Sequence, residues 1–179
     1  MTYKELADTV YSFAAGLKEY GVGHGTKVAL MMTNRPEYII SYFAILANGG
    51  TVVPINPTFK EKETAYIIND SESELLIMEE MTRPVIESAK SDFQHVREIF
   101  YYGEEQNLPF KDWHTLGVQS PISQSISMPA DAIAQIIYTS GTTGSPKGAM
   151  ITHGNLNWMS ITAAVTNQLS TKDRVLCVL

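Results

Sequence analysis

Short apolar runs alternate with helix-period segments along the first hundred residues, and that order leaves few folds open. Leu6, Val10, Phe13 and Leu17 recur at spacings of four, three and four, which places them on one face of a helix. Thr2 and Glu5 have the spacing of a capping box at its start, and Gly21 marks its end. Residues 27–33 predict a strand. Asn34-Arg35-Pro36-Glu37 then predicts a second helix start, with a cap, an early proline and an acid. Tyr38, Tyr42, Ile45 and Leu46 are expected on its buried side, with Gly49-Gly50 ending it. Residues 51–55, 75–78 and 98–102 predict further strands, and residues 60–69 and 83–90 the helices between them. A chain in this order is expected to be α/β, with a mainly parallel sheet and helices on both faces.

Bulk properties narrow the function. A net charge of −6 with no basic patch excludes a nucleic-acid-binding surface. With 44% hydrophobic and 18% charged residues, the chain has the composition of a folded domain. No apolar run is long enough to cross a bilayer, and the polar first residues do not resemble a signal peptide. The lone cysteine, Cys177, lies in the apolar run 175–179 and is expected to be a core thiol. It cannot form a disulfide framework, and its solitude fits a reducing, cytoplasmic setting. Gly21-Val22-Gly23-His24-Gly25 has the look of a dinucleotide fingerprint, but a helix precedes it and a strand follows. That is the reverse of the required order, so the segment is expected to be a turn.

Residues 104–131 are polar and carry Pro109, Pro121, Pro129 and several serines. They are expected to connect a first α/β lobe, 1–103, to the start of a second, 132–179. The second begins with the apolar strand 132–138, and its helix is expected to start at Thr152-His153-Gly154-Asn155 and to run to about Leu169.

The segment with the strongest chemical character follows that strand: Tyr138-Thr139-Ser140-Gly141-Thr142-Thr143-Gly144-Ser145-Pro146-Lys147-Gly148. Glycines admit close backbone approach, exposed N–H groups form an anion nest, hydroxyls add donors, and Lys147 adds a positive charge. The combination suits a polyphosphate. It is not a GxxxxGK[ST] P-loop, because Pro146 stands where the second glycine belongs and Gly148 where a Ser or Thr would hold magnesium. A lone histidine such as His153, just beyond, is expected to be structural or solvent-facing rather than a catalytic base. Tyr3, Tyr38, Tyr42 and Trp158 are expected to serve packing.

The 138–148 segment resembles the phosphate-loop signature of the adenylate-forming superfamily, which includes acyl-CoA synthetases, peptide-synthetase adenylation domains and firefly-type luciferases. Thr2-Tyr3-Lys4-Glu5-Leu6 is similar to the family's first motif, and residues 45–57 to its second. The ending Val53-Pro54-Ile55-Asn56-Pro57 looks more like fatty-acyl and aryl CoA ligases than like peptide-synthetase domains, which usually carry an aspartate at the place of Asn56.

The resemblance implies an enzyme that uses ATP, Mg²⁺ and a carboxylic acid to make an acyl-adenylate, then passes the acyl group to coenzyme A. Thr139, Ser140, Gly141, Thr142, Thr143, Gly144, Ser145, Lys147 and Gly148 would hold the β- and γ-phosphates, with Ser140, Thr142, Thr143 and Lys147 foremost. No residue of this chain is assigned as a metal ligand or a catalytic group. The family's later motifs (an adenine- and magnesium-binding segment, a ribose-binding aspartate and a C-terminal lysine) are not among these 179 residues. The fold is therefore expected to be a truncated N-terminal part of the adenylate-forming fold, inactive alone, with uncovered apolar surface that promotes a homodimer. Other readings are an aryl-CoA ligase, a peptide-synthetase adenylation domain, or a non-catalytic polyphosphate-binding module.

Overall fold

The structure is a computed structural model, which describes residues 1–139, 146–170 and 172–174. The expected apolar strand at 175–179, with Cys177, lies outside the described residues. A seven-stranded sheet organises the rest: β1 (Lys27–Met31), β2 (Thr51–Pro54), β3 (Leu75–Glu79), β4 (Glu98–Tyr102), β5 (Lys111–Asp112), β6 (Ile133–Thr139) and β7 (Lys147–Thr152), in the order β5-β4-β3-β1-β2-β6-β7. All neighbouring pairs are parallel except β6 and β7. Five α-helices accompany the described strands: α1 (Tyr3–Glu19), α2 (Pro36–Ala47), α3 (Glu61–Asp70), α4 (Arg83–Ala89) and α5 (His153–Thr166).

The period-2 alternation of β1 explains why helices cover both faces. Val28 and Leu30 point to one side and pack with Phe13 and Leu17 of α1 and with Ile40 and Ile45 of α2. Ala29 and Met31 point to the other and pack with Ile67 and Ile68 of α3 and with Ile86 of α4. The sheet thus separates two apolar cores, and β1 is buried on both sides.

Local signals account for most of the helix ends. The Thr2 hydroxyl accepts from the Glu5 N–H at 3.2 Å, and the Glu5 carboxylate accepts from the Thr2 N–H at 2.7 Å, completing the capping box. Gly49 follows α2 with φ of 76°, a left-handed conformation that glycine takes without a Cβ penalty. At the start of α2 the expected Asn34 cap is displaced. Arg35 holds the N-cap position and makes no side-chain cap bond. Its guanidinium instead pairs with Glu37 and with Glu79, and lies over the Tyr102 ring at 4.3 Å. The Glu79 side chain is only 5% exposed and also accepts from the Thr33 N–H. A buried carboxylate at the end of β3 needs such partners, and that demand outweighs the local preference for an Asn cap.

Residues 104–131 contribute to the first core. Within the short 3-10 segment Trp113–Val118, Trp113 and Leu116 are buried against α1. The Trp113 ring sits 4.2 Å from the Phe13 ring, and its indole N–H donates to the Ser41 hydroxyl at 2.9 Å. Gly16 makes the approach possible: a Cβ there would lie 2.2 Å from the Leu116 carbonyl oxygen. The chain then reaches β6, which joins the same sheet beside β2.

An element that the sequence pattern does not announce follows the loop: residues 147–152 form β7, paired with β6 in antiparallel register from Thr139↔Lys147 to Ile133↔Thr152. The pairing satisfies the β7 backbone groups that face β6. The helix then begins at Thr152, as expected, where the Thr152 hydroxyl accepts from the Asn155 N–H at 3.1 Å. Among the described residues no helix is long and apolar enough to cross a membrane.

Candidate functional site

β6 runs parallel to β2, so its end at Thr139 lies on the edge where the parallel strands present their carboxyl ends. That is the edge at which open α/β sheets bind ligands. The antiparallel pairing of β6 with β7 sets Thr139 opposite Lys147 and Tyr138 opposite Gly148. Thr139, Lys147 and Gly148 are therefore brought together at the mouth of the loop. The other expected phosphate ligands, Ser140, Gly141, Thr142, Thr143, Gly144 and Ser145, lie outside the described residues.

The mouth suits an anion. Lys147 is exposed, and none of the ion pairs among the described residues uses it. Gly148 leaves room for side chains of its own hairpin: a Cβ there would lie 2.8 Å from Ile136 Cγ2 and 3.0 Å from Tyr138 Cζ. Tyr138 Oη donates to Asp70 Oδ2 at 2.6 Å, reaching from the end of β6 to the last residue of α3. Burial first, and then the adjacent Asp70 carboxylate, push the Tyr138 phenol well above its ordinary pKa, so it keeps its proton.

His153 stands apart from this chemistry. It opens α5, at the opposite end of β7 from Lys147. Five strand residues lie between the two, a separation of about 20 Å at strand rise. Its Nε2 is buried with no hydrogen-bond partner among the described residues, and burial pushes its pKa below the ordinary value, which favours the neutral imidazole. It lines a cavity of about 540 Å³ bordered by α1 and α2, with Leu6, Tyr11, Phe43 and Met128 among the other walls.

Two further groups carry no functional signal in the sequence. The topology reverses direction at β1, between β3 and β2, a place where ligands often bind. Here the ion pairs of Arg35 with Glu37 and Glu79 occupy it. Asp70 reads as a surface acid until Tyr138 is placed beside it. Among the described residues no group of three His, Cys, Asp or Glu side chains could hold a metal ion.

Comparison with known proteins bears on the chain as a whole. Residues 1–179 match the AMP-binding enzyme family. A long-chain-fatty-acid–CoA ligase of Thermus thermophilus is 31% identical over 99% of this chain and 33% of its own length. Zwittermicin A synthase ZmaJ of Bacillus cereus is 32% identical over 98% of this chain and 31% of its own. Among solved structures, a long-chain-fatty-acid–CoA ligase of Archaeoglobus fulgidus superposes with a TM-score of 0.86 at 31% identity, covering 97% of this chain and 34% of that one. The anthranilate CoA ligase AuaEII, solved with anthranoyl-AMP, gives 0.87 at 26% identity, covering 92% of this chain and 32% of that one. The chain spans about a third of the length of these curated relatives. With a mainly parallel sheet and a family match along residues 1–179, this chain belongs to the AMP-binding enzyme family.

Proposed function

We propose that this chain is part of an ATP-dependent, AMP-forming acid–thiol ligase that activates a fatty acid and passes it to coenzyme A. The observation that carries the proposal is the hairpin mouth, where Thr139 and the exposed Lys147 face each other at the carboxyl edge of the sheet. In this reading residues 139–148 cradle the β- and γ-phosphates of ATP. The acid's carboxylate oxygen attacks the α-phosphorus, the bond to the bridging oxygen breaks, and pyrophosphate leaves. The thiol then attacks the acyl carbon and AMP departs. Lys147 and the loop's donors neutralise charge as it grows on pyrophosphate, an effect that needs positioned groups and no covalent participation by the protein. Magnesium would arrive with the nucleotide, and a cytoplasmic supply of ATP and coenzyme A fits the same picture.

The fatty-acid branch is supported by the likeness to the Thermus and Archaeoglobus ligases and by Asn56 in place of an aspartate. A peptide-synthetase adenylation domain is the second reading, supported by 34% identity to tyrocidine synthase 3 of Brevibacillus parabrevis over 86% of this chain. An aryl-CoA ligase is a third, supported by the likeness to AuaEII. ATP–pyrophosphate exchange by a protein containing this chain, run with fatty, aryl and amino acids, separates the three. The isolated 179-residue chain is expected to give no exchange, and clear exchange would contradict that expectation.

The same proposal includes self-association of the isolated chain. Among the described residues β7 is a sheet edge, and Trp158, Met159, Ile161 and Val165 of α5 are each 65% or more exposed. Two copies pairing through this face would bury both features. Light scattering should show a mass that rises with concentration, whereas a constant monomer mass would count against association.

A further inference from the structure

We propose that Tyr138 and Asp70 form a tether that positions the mouth of the phosphate loop. The inference rests on the ATP-binding role proposed above and extends it to α3, an element with no residue in the loop.

Three observations converge on it. First, Tyr138 occupies the last position of β6 before Thr139, so its backbone leads directly into the loop's entrance. Second, the ring is held on two sides. Gly148, its register partner across the hairpin, leaves the space that the ring needs, and the hydroxyl donates to Asp70 at 2.6 Å. Both strands of the mouth are thereby referred to one point on α3. Third, Asp70 is poorly placed for any purpose of its own helix. It is the last residue of α3, where the aligned carbonyls disfavour an anion, and the last turn holds no basic residue. The Tyr138 hydroxyl is its only side-chain donor among the described residues. A carboxylate that costs α3 stability locally, yet accepts a short bond from the strand leading into the loop, makes sense as an anchor.

Tyr138 is a positioning residue in this account: it acts on phosphate through Thr139 and Lys147 and touches none itself. Tyr138→Phe keeps the ring over Gly148 and removes only the hydroxyl, whereas Asp70→Ala removes only the acceptor.

Inorganic pyrophosphate titrated calorimetrically into the 179-residue chain supplies the first readout. Amide hydrogen exchange at Thr139, Lys147 and Gly148 without ligand supplies the second. Each single variant should weaken pyrophosphate by about three- to tenfold, the loss of a bond to a charged acceptor transmitted to a neighbouring site. The double variant should be no weaker than either single one, as expected when both remove one interaction. Exchange at the three amides should quicken alike in all three variants, while that at β1 and β3 stays unchanged. Pyrophosphate affinity equal to the unsubstituted chain in Tyr138→Phe and Asp70→Ala would overturn the tether even if exchange changed, because the bond would then be structural only. No binding by the unsubstituted chain would instead sink the phosphate role, and the tether with it.

Discussion

Lys147→Ala is expected to weaken pyrophosphate and ATP binding by roughly 10- to 150-fold while leaving the melting temperature of the chain unchanged. The size follows from removing a charge-assisted contact to phosphate, worth about 1.5–3 kcal/mol. The unchanged stability follows from position: Lys147 is exposed and takes no part in the ion pairs among the described residues. Lys147→Arg should recover part of the affinity, since it restores charge but replaces a compact ammonium with a broad planar fork. Calorimetric titration with thermal melts on the same samples checks both statements. Affinity indifferent to Lys147→Ala would remove the lysine from the site, and a large fall in melting temperature would assign it to the fold instead.

Trp113→Ala is expected to destabilise the chain by about 3–5 kcal/mol, the cost typical of truncating a buried aromatic side chain. Trp113 is 4% exposed, packs at 4.2 Å against Phe13 of α1 and meets Tyr102 of β4 edge-on at 5.2 Å. Its indole N–H also donates to Ser41 of α2, so one side chain ties α1, α2 and β4 together. Trp113→Phe should cost less, because a ring remains and the main loss is the donor to Ser41. Chemical denaturation of the two variants beside the unsubstituted chain measures the difference. A cost below about 1 kcal/mol for the alanine variant would mean that residues 113–118 are dispensable to the first core.

That residue also marks the reach of local sequence patterns. The helices and strands of the first hundred residues announce themselves through local period, caps and glycine stops, and the parallel sheet follows from their order. The capping box at Thr2 and Glu5 is present down to both hydrogen bonds. Trp113 offers no such pattern. Its burial depends on Phe13 and Ser41, distant in sequence, and on a six-residue 3-10 segment too short to show a period. Arg35 is similar: an N-cap choice governed by Glu79, 44 residues further on, is invisible to a local rule. β7 is hidden for a related reason, because most of it is exposed and its existence depends on pairing with β6.

At the candidate site, composition alone marks residues 138–148 as unusual, and the spacing of Pro146, Lys147 and Gly148 excludes a P-loop NTPase. The hairpin geometry that sets Thr139 against Lys147 is a property of strand register, which composition does not specify. Asp70 lies further out of reach. A single acid at the end of a helix carries no signal until the fold places Tyr138 2.6 Å away.

The central claim is that residues 139–148 hold the tail phosphates of ATP. A crystal structure of a protein containing this chain, bound to a non-hydrolysable ATP analogue, tests it most directly. The account predicts β- and γ-phosphate oxygens within hydrogen-bond reach of the Lys147 ammonium and of the loop's hydroxyl and N–H groups. Phosphates bound away from that hairpin, with Lys147 facing solvent, would contradict it.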